Sequence, residues 1–167
     1  FLSKERETVS PLLLAGGPAA FNPEPVSDIF DAFLIGDGEE AFLEIAEKFI
    51  ALRKSGAGRD HLLSGLAEIP GVYVPGLYES YTPPGSRLLA RRPKAGAPAR
   101  IKKRIKANLG EPPYPEAIIV PDIQAVFDRV TIEVARGCPQ RCRFCQATSL
   151  YFPFRFRELC ISYRWKT

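Results

Sequence analysis

Residues 31–40 read Asp31-Ala32-Phe33-Leu34-Ile35-Gly36-Asp37-Gly38-Glu39-Glu40. An apolar run of strand length stops there at a glycine turn. Glu39 to Lys54 continues as an amphipathic helix, with Phe42, Ile45, Ala46, Phe49 and Ile50 at helical spacing on one face. Gly56 and Gly58 end it. Asp37 to Glu40 also has the acids that favour a helix N-terminus. Upstream, Pro11-Leu12-Leu13-Leu14-Ala15 predicts another buried strand, stopped by Gly16-Gly17-Pro18. Val26 to Phe30 predicts a short helix, because Asn22 to Pro25 precedes it with cap and turn chemistry. Strand, helix, strand, helix with short turns is the pattern of a doubly wound, Rossmann-like α/β sheet. Residues 1–57 are expected to form the C-terminal part of such a domain.

Residues 58–125 change character. Asp60 to Ile69 predicts a short helix and Val72-Tyr73-Val74 a short strand. Ten prolines fall between Pro70 and Pro121, which forbids a long regular element and predicts a connector with small strands. The net charge is +4, but the span from Ser80 to Gly110 contains no acid and carries +9, so the rest sums to −5. Two readings stand for its cations, which run from Arg87 to Lys106. One is a solvated, self-repelling linker. The other is a stripe contacting phosphates, of RNA or of a phosphorylated cofactor.

Length and composition bound the classes. At 167 residues and 18.5 kDa there is room for one ordinary domain. Hydrophobic residues at 46% and charged residues at 25% argue against wholesale disorder. No stretch approaches the ~20 apolar residues of a membrane helix, and Phe1 to Ser10 lacks the apolar core of a signal peptide. Met is absent, even at position 1, which leads us to expect a piece of a longer protein.

Residues 126–167 hold all four cysteines: Cys138, Cys142, Cys145 and Cys160. Val130 to Ala135 is β-branched and apolar, predicting a strand that runs into Arg136-Gly137-Cys138. The segment Cys138-Pro139-Gln140-Arg141-Cys142-Arg143-Phe144-Cys145 then spaces three thiols as C-x-x-x-C-x-x-C. A disulfide framework would spread its cysteines through the fold, whereas three within eight residues suit one soft metal centre in a reducing, cytoplasmic setting. Structural zinc needs four ligands, so Cys160 or His61 would have to join.

At this segment the chain resembles the radical S-adenosylmethionine (radical SAM) superfamily. That family places C-x-x-x-C-x-aromatic-C in the loop after the first strand of a partial (β/α) barrel. The resemblance implies that Cys138, Cys142 and Cys145 hold a [4Fe–4S] cluster. Its open iron would bind S-adenosylmethionine, and reductive cleavage would give a 5′-deoxyadenosyl radical. The backbone at Phe144 would lie near the adenine, and flavodoxin or ferredoxin would supply the electron. The turns at Gly16-Gly17 and at Gly36-Asp37-Gly38 resemble the late part of a cobalamin-binding domain that precedes the barrel in some members. This implies cobalamin near Gly16, Gly17, Gly36 and Gly38, and methyl transfer as one outcome. Val74-Pro75, Ile119-Val120-Pro121 and Asp128-Arg129 extend the likeness, which covers roughly residues 11–147. Arg141 and Thr148 stand where glycine is expected, and Phe127 where histidine is expected. Past Arg157 the pattern ends, so Cys160 is not expected to be a ligand. Residues 126–167 would be a truncated start of the barrel, inactive alone and with its substrate residues elsewhere. Two alternatives remain: an RNA-modifying enzyme of the methylthiotransferase kind, favoured by the basic run, and a non-enzymatic, zinc-stapled module that binds nucleic acid.

Overall fold

The protein is described by a computed structural model covering residues 2–7, 9–110, 122–123, 126, 133–140 and 142–157. The expected strand residues 130–132, the likeness at Ile119-Val120-Pro121, Phe127 and Asp128-Arg129, and also Arg141 and Cys160, lie outside the described residues. The chain divides into two units, residues 1–105 and 106–167.

The first unit is built on a three-stranded sheet ordered β1 (Leu14–Ala15), β2 (Ala32–Leu34) and β3 (Val72–Tyr73). β1 and β2 run parallel, as the strand–connection–strand reading expects, with Leu14 opposite Ala32. β3 returns antiparallel, with Phe33 opposite Tyr73. The connection between β1 and β2 differs from expectation. Instead of a helix over Val26 to Phe30 it holds 3-10 turns at Pro18–Phe21 and Glu24–Val26. Pro18 and Pro25 fit the first turn of each, where a missing N–H costs nothing, and each turn ends after three or four residues.

Alternation along the strands sorts two cores. Ala32, Leu34, Val72 and Val74 point to the face covered by α1 (Ala41–Lys54) and α2 (Arg59–Leu66), where Ala41, Ile45, Leu62 and Leu66 bury against them. Phe33, Tyr73, Tyr78 and Ala20 make the other core. Its rings pack edge-on or tilted, Phe30 to Phe33 at 5.5 Å and Tyr73 to Tyr78 at 4.9 Å between centroids. A sheet covered on both faces accounts for the unbroken apolar run at Ala32–Ile35. α1 stops where Gly56 takes φ +74°, the left-handed value that a C-terminal cap needs. Its predicted apolar face is only partly used: Ile45 is buried and Phe49 packs on the core, while Phe42 and Ile50 are exposed.

Asp31 anchors the N-terminal segment to this unit. Its carboxylate is fully buried and accepts from the Ser3 hydroxyl at 2.8 Å, the Leu13 amide at 2.8 Å and the Arg6 guanidinium at 2.9 Å. Arg59, opening α2, pairs with it at 2.7 Å. Burial pushes the Asp31 pKa up, but the Leu13 amide, Arg59 and Ser3 outweigh it and hold the group below the usual range.

The remainder of the first unit contains a hairpin of β4 (Tyr78–Tyr81) and β5 (Ala90–Pro93). The basic run is not a solvated string here. Arg91 pairs with Glu24 at 2.6 Å and Arg92 with Glu79 at 2.8 Å. The Arg104 amide donates to Ile35 O at 2.7 Å, and the Asp37 amide donates to Arg104 O at 3.0 Å. This makes a parallel bridge between Gly36 and Arg104, and the Arg104 guanidinium pairs with Glu44 on α1.

In the second unit β6 (Ala135–Arg136) pairs antiparallel with β7 (Arg155–Phe156), and α3 (Ala147–Leu150) lies between them in sequence. No helix among the described residues is long and apolar enough to cross a membrane.

Candidate functional site

Cys138, Cys142 and Cys145 sit in the loop that joins β6 to β7. Of the strand expected at 130–135, the described part that pairs begins only at Ala135. Two-residue strands hold little by themselves, and ion pairs reinforce this pair. Glu133 accepts two hydrogen bonds from Arg136, at 2.8 and 2.9 Å. It accepts a third from Arg157 at 3.1 Å, and the Arg157 side chain is almost wholly buried. The Arg157 amide donates to Val134 O at 2.9 Å, and its guanidinium also reaches Leu109 O. The hydrogen bond from Arg136 lowers the Glu133 pKa; burial opposes this, and Arg157 adds to the lowering.

Gly137 admits the chain into the loop. It takes φ +95°, and a Cβ there would stand 2.8 Å from Tyr151 O and 3.0 Å from Phe154 Cα. The glycine of Arg136-Gly137-Cys138 is therefore required by the returning backbone. Beyond it, the Cys145 amide donates to Cys142 O at 3.2 Å, turning the chain between the second and third thiols. The Thr148 hydroxyl donates to Gln140 O and ties α3 back over the loop. Thr148, placed where the resemblance expects glycine, therefore has a local use.

All three described cysteines are unbonded thiols; Cys138 is half-buried, and Cys142 and Cys145 are exposed. Cys142, Cys145, Phe144, Gln146 and Thr148 line an open cavity of about 530 Å³. Phe144 is 92% exposed, so it plugs no core in this unit. Cys138 does not line the cavity. Among the described residues no three His, Cys, Asp or Glu side chains stand close enough together to hold one metal ion. The donor set, three thiols free of disulfides with two on an open cavity, suits a soft metal centre in kind. The structure brings Cys142 and Cys145 to one cavity, which Cys138 does not line. His61 is exposed on α2.

The glycine turns sit in the first unit. Gly17 takes φ +83° with open space beside it, and Gly16 has only Leu34 O near, at 3.8 Å. Gly36 takes φ +111°, and a Cβ there would run into the Arg104 backbone. Gly38 has ordinary packing against Leu34. The close approach that glycine allows at position 36 is thus made by the basic run. Sequence reasoning missed the Glu133–Arg157 pair and the Arg104 bridge. The one cue was an acid beside an apolar strand, followed by Arg136 three residues on.

The family described as "Radical SAM proteins, N-terminal" matches residues 1–75. An uncharacterized protein of Methanocaldococcus jannaschii is 26% identical over 151 residues, covering 89% of this chain and 26% of the relative. The chain thus spans about a quarter of the length of that relative. No solved structure matches the chain. The family match supports a radical SAM-type protein, and its residues end well before the cysteine loop.

Proposed function

We propose that this chain is part of a radical SAM enzyme in which Cys138, Cys142 and Cys145 hold a [4Fe–4S] cluster. One observation carries the reading: a loop with two exposed thiols on one cavity lies downstream of a segment matching the N-terminal region of radical SAM proteins. A cluster bound by three thiolates would supply an electron to S-adenosylmethionine, giving a radical able to take hydrogen from a substrate. The chain's own contribution is positional. Cys142 and Cys145 already share the cavity, and Cys138 would have to turn toward it. Gly137 lets the loop leave β6, Glu133 holds β6 to β7, and Thr148 ties the far side of the loop to Gln140. Phe144, exposed at the cavity, offers an apolar ring to a cosubstrate's base. A flavodoxin- or ferredoxin-like protein would be the electron source. Cobalamin near Gly16, Gly17, Gly36 and Gly38 is what the resemblance would add; Gly17 has open space beside it, whereas the Arg104 backbone takes up the approach to Gly36.

The test is anaerobic reconstitution of the chain with iron and sulfide. The reading expects about four irons per chain, lost in Cys142→Ala and in Cys145→Ala. Tight zinc without iron would overturn it in favour of a zinc-stapled module.

A further inference from the structure

The first unit has a second cavity, of about 440 Å³, that the cysteine loop does not share. Its walls are Phe21, Pro23, Ile35, Tyr73, Ile101 and Lys103. Phe21 and Pro23 follow the Gly16-Gly17 turn, and Ile35 follows the last residue of β2, so the cavity opens past the carboxyl ends of the parallel strands β1 and β2. Ligands of open α/β sheets commonly bind at such carboxyl ends.

The chemistry of the walls is specific. The Tyr73 hydroxyl donates to Glu24 Oε1 at 2.6 Å, and Glu24 Oε2 pairs with Arg91 at 2.6 Å. The phenol is therefore engaged away from the cavity, and burial together with Glu24 pushes its pKa up and keeps it neutral. What the cavity presents is rings, aliphatic side chains and one ammonium. Lys103 Nζ lies 5.9 Å from the centre of the Phe21 ring. Along the basic run Ile101 and Lys103 line the cavity, while Arg100 and Lys102 do not line it and are exposed. The bridge at Arg104 fixes this segment, so Lys103 and Ile101 stand one and three residues from an anchored point. The segment from Ser80 to Gly110 that supplies Ile101 and Lys103 contains no acid.

We propose that this cavity binds a nucleotide. The base would lie against Phe21, Ile35 and Ile101, and the phosphate would meet Lys103. The volume falls within the ~300–1,000 Å³ usual for small-molecule sites. Aromatic walls accept any base, and an ammonium gives the phosphate a charge-assisted partner. The same chemistry is met by a free mononucleotide and by one residue of single-stranded RNA. The inference does not depend on the cysteine loop.

The full chain is titrated by calorimetry with AMP and UMP, with adenosine and uridine, and with an eight-residue oligouridylate. The expected result is monophosphate binding about 10-fold tighter than nucleoside binding. Ile101→Glu and Lys103→Gln should each weaken it by about 10-fold, while Lys54→Gln on α1 leaves it unchanged. Far-UV circular dichroism checks that each variant is folded, and Lys103→Gln keeps the test open if Ile101→Glu is not. An oligouridylate binding more than about 10-fold tighter than UMP, with a steeper salt dependence, assigns the site to RNA. Equal binding assigns it to the free nucleotide. No binding of any of these up to about 1 mM overturns the proposal, as does unchanged affinity in a folded Lys103→Gln.

Discussion

Replacing Glu133 with Gln should loosen the base of the cysteine loop by a calculable amount. The carboxylate receives three charge-assisted hydrogen bonds, two from Arg136 at 2.8 and 2.9 Å and one from Arg157 at 3.1 Å. Breaking a fully buried ion pair costs about 3–5 kcal/mol, and an exposed one about 0–1 kcal/mol. Glu133 is 32% exposed but its partner Arg157 only 3%, so the expected loss lies between, near ~2 kcal/mol. At 1.4 kcal/mol per decade this is roughly 30-fold in the opening equilibrium of the β6–β7 pair. The reporter is hydrogen exchange of the Arg157 amide, which donates to Val134 O across that pair. Exchange should accelerate by roughly 30-fold in Glu133→Gln. In Glu79→Gln, which removes the surface pair with Arg92, it should stay unchanged. The pH dependence has a definite sign. The folded Glu133 pKa lies below its ordinary value of 4.5, so its contribution is complete above that value and is lost as pH falls through the folded pKa. Protection of Arg157 in the unsubstituted chain should therefore fall on acidification below about pH 4.5, and in Glu133→Gln this step should be missing. Less than about 3-fold acceleration, or the same acid step in both proteins, would refute the reasoning.

Asp31→Asn leaves Arg6 and Arg59 facing a neutral amide in a buried site, and should cost about 3–5 kcal/mol, read as a lower urea midpoint. Because the Asp31 pKa is lowered, its contribution is present above the ordinary Asp range and is lost as pH falls. The unsubstituted chain should thus weaken in acid by more than the variant does. Gly36→Ala should push the Arg104 backbone off the sheet edge, since the added Cβ meets it directly. Limited trypsin digestion should then cut between Arg100 and Lys106 faster than in the unsubstituted chain; an unchanged pattern would show that the bridge does not hold that segment.

Local elements of the fold were legible because their signals lie within a few residues. The run Asp31 to Ile35 and the helical spacing from Glu39 to Lys54 place β2 and α1 to within two residues. The spacing of Cys138, Cys142 and Cys145 likewise marks a candidate site without any structure. Periodicity, however, overstates what it sees on α1: Phe42 and Ile50 share the apolar spacing and yet are exposed. Spacing describes a helix, while burial depends on what the rest of the chain brings to it. The same limit applies at Gly36. Glycine announces that something comes close, but only the folded chain shows that the visitor is Arg104, 68 residues later. The basic run looked uniform in sequence, yet the fold brings Glu24, Glu79 and Glu44 to Arg91, Arg92 and Arg104 and leaves Arg100 and Lys102 exposed. Sequence by itself determined the local elements and the donor set of the thiol loop. Tertiary structure decided which charges are paired, which faces are covered and that Cys142 and Cys145 line one cavity that Cys138 does not. The reason is physical: dihedral preference and side-chain periodicity act over one or two turns, whereas pairing and burial join residues whose separation along the chain carries no pattern.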